Sequence, residues 1–403
     1  MSLSRSRIIK ILINIDNGAL LSEELDKIDD YNYAYINKIV RGVLEKRISI
    51  DEIISNYSNI RINKLKPFIK NILRAAIYEL AEINKATDYG VVNDYVNIVK
   101  KSKFNNLKGY VNAILRNIAS GNINLYISYP KWIMNLLVED IGENNLKLLL
   151  NNTYNKISYR VRSKDLITSM SEKYDISYSS IVDNCIYIND KNKPSDIDEF
   201  NDGKITVQDP SSIYVGNIAY DIFKDKDKKL ILDLCAAPGG KTSHLADIPN
   251  SKIISCDISD KKIEKIKENL SRMHISNVDC RINDATIINK SFIDKFDLVL
   301  CDLPCSGLGV MSKKPDIKFR LLPKDIEELS RIQRKILSNA IRYLKKDGYL
   351  IFSTCTLTKK ENIDNFNYIN EILENVYIDG LPYKQFIQGR DSCDGFFVSV
   401  FRR

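Results

Sequence analysis

The chain has 403 residues, enough for two or three domains rather than one core. Its composition, 44% apolar and 28% charged, is that of a globular protein. No apolar run approaches a membrane span, and Met1-Ser-Leu-Ser-Arg-Ser-Arg lacks a signal-peptide centre, so a cytoplasmic protein without membrane contact is expected. Of the formal charge of +8, residues 1–125 hold most, with nineteen Lys and Arg against thirteen Asp and Glu. That surplus suits a polyanionic partner, although a solvated helical surface would look the same. Eight cysteines scattered among apolar segments fit reduced thiols, and two histidines (His244, His274) with no Cys-x-x-Cys give no expectation of a metal site.

Up to about residue 124 the pattern is helical throughout. Ile8-Ile9-x-Ile11-Leu12-x-x-Ile15, Ile36-x-x-Ile39-Val40-x-x-Val43-Leu44 and Leu65-x-x-Phe68-Ile69-x-x-Ile72-Leu73 each form a stripe of period 3.6. An all-α domain over 1–124 follows. Residues 125–205 mix signals: a helix over Trp132–Leu150, a short strand Ser158–Arg162, a helical stretch from Lys164, a strand at Cys185–Ile188 and a polar loop up to Asp198. They predict a small α+β (ferredoxin-like) linker module. From 206 to 403, strands at 229–234, 252–256, 278–282, 297–301, 348–353 and 396–401 alternate with helices such as 261–273 and 326–344. That alternation predicts a Rossmann-like α/β domain with a parallel sheet, the last strand possibly antiparallel.

Chemistry concentrates at three strand ends. The strand reaching Asp233 runs into Cys235-Ala236-Ala237-Pro238-Gly239-Gly240-Lys241-Thr242, small residues that let backbone approach a ligand. The spacing is neither G-x-G-x-x-G nor a P-loop. Asp257, ending the next strand, is placed to accept from ribose hydroxyls, and Asp284, after the third, to accept from an adenine amino group. Each alone would pass for a turn or cap residue, but successive carboxylates at successive strand ends fit a nucleoside without pyrophosphate, such as S-adenosyl-L-methionine. Two thiols follow polar strand ends, Cys305 in Asp302-Leu303-Pro304-Cys305-Ser306 and Cys355 in Ser353-Thr354-Cys355-Thr356. Cysteine is most often a buried core thiol, which suits Cys235, Cys256, Cys280 and Cys301 but not these two.

Those three motifs, in this order, resemble the RNA cytosine-5 methyltransferases. The helical N-terminus resembles the NusB-like domain of the RsmB (Sun) group within them. Ile39-Val-Arg-Gly-Val-Leu44, Leu107-Lys-Gly-Tyr-Val-Asn-Ala-Ile-Leu-Arg116, Gln208-Asp-Pro-Ser-Ser212, Lys314-Pro-Asp-Ile-Lys318 and Asp394-Gly-Phe-Phe397 extend the likeness over nearly the whole chain. Leu303 stands where the family has a small residue, and Ser312 where it has one of a basic pair. The resemblance implies a NusB-like RNA-binding domain, a methyltransferase using S-adenosyl-L-methionine, and methylation of C5 of a cytosine in 16S rRNA, by resemblance cytosine 967. It implies that Cys355 attacks C6, that Cys305 assists breakdown of the adduct, and that Asp302 bonds N3. Cys235, Ala236, Ala237, Pro238, Gly239, Gly240, Lys241, Asp257, Asp284 and Asp302 are expected to hold the cofactor, Lys241 or a helix N-terminus to lower the pKa that a thiolate needs lowered, and the enzyme to be a monomer. Arg160, Arg162, Lys313, Lys314, Lys318 and Arg320, with the basic N-terminal domain, are the candidate RNA contacts. The rivals are a transfer RNA cytosine-5 methyltransferase and a non-catalytic NusB-like RNA-binding protein.

Overall fold

The computed structural model describes residues 2–28, 32–83, 87–151, 156–190 and 193–403. Packing divides the chain into two units, 1–135 with 311–320, and 136–310 with 321–403. Residues 191 and 192 of the expected polar loop lie outside the described residues.

The first unit is helical, with helices Ser2–Asp16, Leu21–Asp26, Tyr33–Glu45, Arg47–Tyr57, Pro67–Glu82, Asp88–Lys100 and Lys108–Ala119. Helix Pro67–Glu82 opens on proline, whose missing N–H costs nothing in a first turn. Five of the other helices pack around it, so it is buried on every side from Asn71 to Glu79. Its charged residues must therefore be paired. Glu79 accepts from Arg5 Nε and Tyr95 Oη, each at 3.0 Å, and Arg74 reaches both oxygens of Asp51 at 2.7 Å. Gly42 lets helix Tyr33–Glu45 approach closely, since a Cβ there would fall on the Tyr78 ring.

Segment 311–320 packs into this helical core. Lys318 is 2% exposed, and its Nζ donates to the carbonyls of Glu45 (2.7 Å) and Ser128 (3.0 Å) beside the Tyr129 and Phe319 rings. Burial pulls its pKa down to about 7. Arg320 pairs with Asp316 at 3.1 Å, and Arg41 donates to the Lys313 carbonyl. Lys318, expected as an RNA contact, is a core residue instead.

The second unit holds two sheets. Strands β1 (Ser158–Val161), β2 (Ile176–Tyr178), β3 (Cys185–Ile188) and β4 (Ile205–Val207) form an antiparallel sheet in the order β2-β3-β1-β4. The larger sheet contains β5 (Lys229–Asp233), β6 (Ser251–Asp257), β7 (Val278–Ile282), β8 (Phe296–Asp302), β9 (Leu344–Thr354), β10 (Glu374–Val376), β11 (Lys384–Phe386) and β12 (Phe396–Arg402). Its order is β10-β12-β9-β8-β5-β6-β7, with β11 also on β12. Strands β5 to β9 are mutually parallel, and β12 joins β9 antiparallel. Side chains alternate across the sheet. Val299 and Cys301 face helices Pro323–Tyr343 and Ile363–Asn370, while Leu298 and Leu300 face helix Pro210–Phe223. The architecture is thus an all-α domain, a small α+β module and a Rossmann-like α/β domain.

Local details differ from the sequence reading. The helix expected over Trp132–Leu150 is two helices, Lys131–Ile141 and Glu143–Asn151, broken where Gly142 takes φ 83°. Strands β2, β4, β10 and β11 have three residues each, too few for a period to register. Arg160, 1% exposed, donates to Asp247 (2.5 Å) and Ser243 (3.0 Å), and Arg162 donates to Asp247 (2.7 Å) and the Met273 carbonyl (2.9 Å). These two arginines tie the small sheet to the turn after helix Gly240–Leu245 and so are structural rather than free for a polyanion.

Candidate active site

The chain leaves β5 toward β6 and β7 on one side and returns to β8 and β9 on the other. In an open parallel sheet the crevice forms where the order reverses, here at the C-terminal ends of β5 and β8. All three motifs converge there because each follows one of three adjacent strands, β5, β8 and β9.

At the end of β5, Asp233 is fully buried and accepts from Thr242 Oγ1 at 2.7 Å, and burial pushes its carboxyl up to about 7. The loop beyond turns at Gly239, where φ is 100° and a Cβ would press on Ile266 at 3.3 Å. Residues Cys235–Pro238, Gly240 and Lys241, with Val207, Gln208, Asp209, Ser212, Asp233 and Asp302, line a cavity of about 170 Å³. Gly240 leaves this side open, the nearest atom to an added Cβ being Gln208 at 3.9 Å. The Gln208 side chain, 6% exposed, has no partner for either polar atom. Buried polar groups are normally satisfied, so a polar ligand group fits here.

Asp257 and Asp284 do not line that cavity. Asp257 accepts from the backbone N–H of Ala237 at 2.9 Å and of Ile258 at 2.8 Å, and pairs with Lys262 at 2.9 Å. It therefore anchors the loop whatever else it binds. One oxygen of Asp284 accepts from Thr286 N (2.9 Å) and Thr286 Oγ1 (2.7 Å), a local turn.

Asp302 sits at the mouth of the crevice, with one oxygen accepting from Lys241 Nζ at 2.7 Å and the other from Ser353 Oγ at 2.8 Å. Lys241 is thereby aimed at Asp302, not at a thiol. The two sulfurs lie together, Cys305 Sγ 3.3 Å from Cys355 Sγ. The bond to Cys355 and burial push the Cys305 thiol well up, so it stays protonated beside its neighbour.

Both thiol loops are clamped from below. Asn362, at the start of helix Ile363–Asn370, accepts from Thr354 Oγ1 (2.5 Å) and donates to the Thr356 carbonyl (3.0 Å), gripping the chain on each side of Cys355. Glu361, fully buried, accepts from the Ser306 N–H (2.8 Å), Ser306 Oγ (2.5 Å), Thr358 Oγ1 (2.8 Å) and Gln333 Nε2 (3.0 Å). Gly309 N donates to the Cys355 carbonyl at 3.0 Å, and Gly395 N to the Gly309 carbonyl at 2.9 Å. A Cβ at Gly309 would strike both Cys355 and Gly395 backbones, so only glycine fits between them.

Residues 221–402 match the 16S rRNA methyltransferase RsmB/F family, and residues 2–120 match the NusB family. The chain is thus similar to the RsmB/F methyltransferases over its α/β half and to the NusB family over its helical end. It is 28% identical to ribosomal RNA small subunit methyltransferase B of Proteus mirabilis, over 96% of each chain. It is 27% identical to the probable ribosomal RNA small subunit methyltransferase B of Bacillus subtilis, over 84% of this chain and 79% of that one. A crystal structure of PH0851 aligns with a TM-score of 0.81 at 22% identity, covering 100% of this chain and 99% of that one. NSun6 from Pyrococcus horikoshii, solved with SFG, aligns with a TM-score of 0.57 at 21% identity, covering 68% and 98%. At these identities the structures establish the fold.

The sequence reading missed Gln208 as a cavity residue, and Glu361, Asn362 and Gln333 as supports. Glu361 and Asn362 lie in a polar stretch, Thr358-Lys-Lys-Glu-Asn362, that reads as solvated loop. No local signal marks Glu361 as a support, because Gln333 and Ser306, which it joins, lie 28 and 55 positions away. Among the described residues no cluster of three or more His, Cys, Asp or Glu could hold a metal ion, and no helix is long and apolar enough to cross a membrane.

Proposed function

We propose that this methyltransferase transfers a methyl group from S-adenosyl-L-methionine to C5 of a cytosine in 16S ribosomal RNA through a covalent adduct with Cys355. The observation that carries the reading is the pair of sulfurs 3.3 Å apart beside Asp302, at one crevice with an open glycine loop. When bound, the cofactor supplies an electrophilic methyl on a sulfonium. The residues suited to hold it are Cys235–Lys241, Gln208 and Asp302, with Asp257 and Asp284 toward the nucleoside end.

Cytosine C5 is a weak nucleophile. Addition of the Cys355 thiolate at C6 makes C5 the electron-rich end of an enamine, which can then take the methyl. Asp302, held in one rotamer by Lys241 and Ser353, hydrogen-bonds N3 and supports its protonation during the addition. Loss of the C5 proton then expels Cys355 and restores the ring. Cys305 assists that breakdown, because a thiol beside Cys355 can exchange a proton with the adduct. The target base must be unstacked to reach the pair.

RNA affinity in this reading comes from the N-terminal module, about residues 1–124, followed by a linker module over 125–205 and a catalytic module over 206–403. Arg61, Lys64 and Lys66 are exposed on one connection between helices, and Lys100, Lys101, Lys103 and Lys108 on another and at the helix ends beside it. Phe68 and Phe104, stacked at 5.4 Å, join the two connections, and no acidic residue occurs between 100 and 125. A ribosomal RNA substrate would also put the enzyme in the cytoplasm, which agrees with eight cysteines outside any disulfide. Transfer of tritium from labelled cofactor to 16S RNA, with transfer RNA in parallel, tests the proposal. Label at cytosine C5 of 16S RNA is expected. Label in transfer RNA alone moves the substrate, and label in neither with RNA bound leaves a binding protein.

A further inference from the structure

The sulfurs of Cys305 and Cys355 belong to residues fifty positions apart on separate loops, and contact at 3.3 Å needs a device that sets both loops together. The residues immediately after the two cysteines supply it. Ser306 Oγ and Thr356 Oγ1 lie 2.6 Å apart, and both reach the same oxygen of Glu361, at 2.5 and 3.3 Å. Thr358 Oγ1 joins that oxygen at 2.8 Å, while the other takes the Ser306 N–H (2.8 Å) and Gln333 Nε2 (3.0 Å). Gln333 in turn donates to the Pro304 carbonyl at 2.8 Å, so the Cys305 loop is held on both sides of the cysteine. Glu361, Gln333, Thr356 and Thr358 are fully buried and Ser306 nearly so, where hydrogen bonds have little competing water.

We propose that Glu361 is the positioning residue of the thiol pair, holding Cys305 and Cys355 in contact by binding donors from both loops at once. It touches neither sulfur. One carboxylate that gathers donors from two loops and a helix converts two flexible thiol positions into one fixed distance. The proposal rests on the thiols acting as a pair, and deepens the covalent reading given above.

Phenylarsine oxide reads that distance without RNA or cofactor. Its arsenic binds two nearby thiols, and its oxygen leaves with their two protons as water. Intact-mass spectrometry counts the product, and Cys305→Ser and Cys355→Ser define the signal due to this pair. Wild type is expected to take one arsenical at the pair. Glu361→Ala should slow that capture at least about 10-fold while retaining cofactor affinity, and its methyl transfer should fall about 100-fold in kcat, the scale of a 1 Å misplacement. Glu361→Gln should preserve most of the capture, because its amide oxygen can face the Ser306 and Gln333 N–H groups and its amide N–H the hydroxyls. Wild-type capture by Glu361→Ala overturns the proposal, as does an equal loss in Glu361→Gln. If Glu361→Ala fails to fold, Thr356→Ala decides, since it takes one loop's hydroxyl out of the knot and leaves Glu361 in place. Slower capture there supports the role and unchanged capture refutes it. The expected capture pattern without methyl transfer to any RNA supports the positioning role and removes only the methylation reading.

Discussion

Two sulfurs in contact cannot both carry charge, and the structure gives them unlike surroundings. Cys305 is raised by its bond to Cys355 and by burial, which suits the proposed division of labour in which Cys355 attacks. Cys355→Ala should therefore lower turnover about 10⁴-fold or more and leave no covalent RNA complex. Cys305→Ala should still form the adduct and release it slowly, giving a protein–RNA band on a denaturing gel. A band for Cys355→Ala and none for Cys305→Ala would exchange the roles, and intact turnover in both would remove covalent catalysis. At the nucleoside end, Asp257→Ala should weaken cofactor binding by about 1.5–3 kcal/mol, the range for a hydrogen bond to a charged group. Because Asp257 also holds the Ala237 N–H, Asp257→Asn should lose less than the alanine variant. Equal calorimetric affinity in all three proteins would take Asp257 out of the site.

Elements here are shaped by what they must bury. Segment 311–320 carries a lysine into a helical core, and the two carbonyls that receive it match the two N–H groups of a neutral amine. Its pKa of about 7 lies below the ordinary 10.5, so between those values the unfolded chain holds a proton that the folded chain lacks. Stability of the helical unit should then rise with pH across that window, by up to about 1.4 kcal/mol per pH unit from this group. Urea unfolding at pH 7 and pH 9 should show the rise in wild type and a smaller one in Lys318→Met. Identical pH slopes would mean that Lys318 stays charged in the fold. Helix Pro67–Glu82 shows the same logic without titration, since it buries Arg74 and Glu79 only because Asp51 and Arg5 meet them.

The whole molecule separates charge from chemistry. The crevice lies in the second unit, while Arg61, Lys64, Lys66, Lys100, Lys101, Lys103 and Lys108 lie on the first. Removing residues 1–125 would strip the surroundings of Lys318 and Phe319, so truncation is a poor test of RNA binding. Reversing Lys64, Lys66, Lys101 and Lys103 to glutamate is a cleaner one. RNA affinity should fall, and the slope of log K against log salt should become shallower by about 3 for four lost phosphate contacts to unpaired RNA, with cofactor affinity unchanged. The same affinity and slope in the variant would mark these lysines as solvated surface.

The sequence alone determined the features that depend on near neighbours. An apolar period of 3.6 marked the helices of residues 1–124, apolar runs alternating with helical stretches marked the strands β5 to β9, and glycines with polar strand ends marked the candidate cofactor loop, Asp302, Cys305 and Cys355. Those signals are local, since a helix or strand buries one face whatever it packs against. Only the tertiary structure decided which charges are used inside and which face water. Arg160, Arg162 and Lys318 read as surface cations, yet each is committed to acceptors from distant parts of the chain. Glu361 and Asn362 read as loop, yet they clamp the thiols. A buried polar side chain is tolerated only when its partners arrive, and those partners come from elements joined by the fold, beyond the reach of any pattern in neighbouring residues.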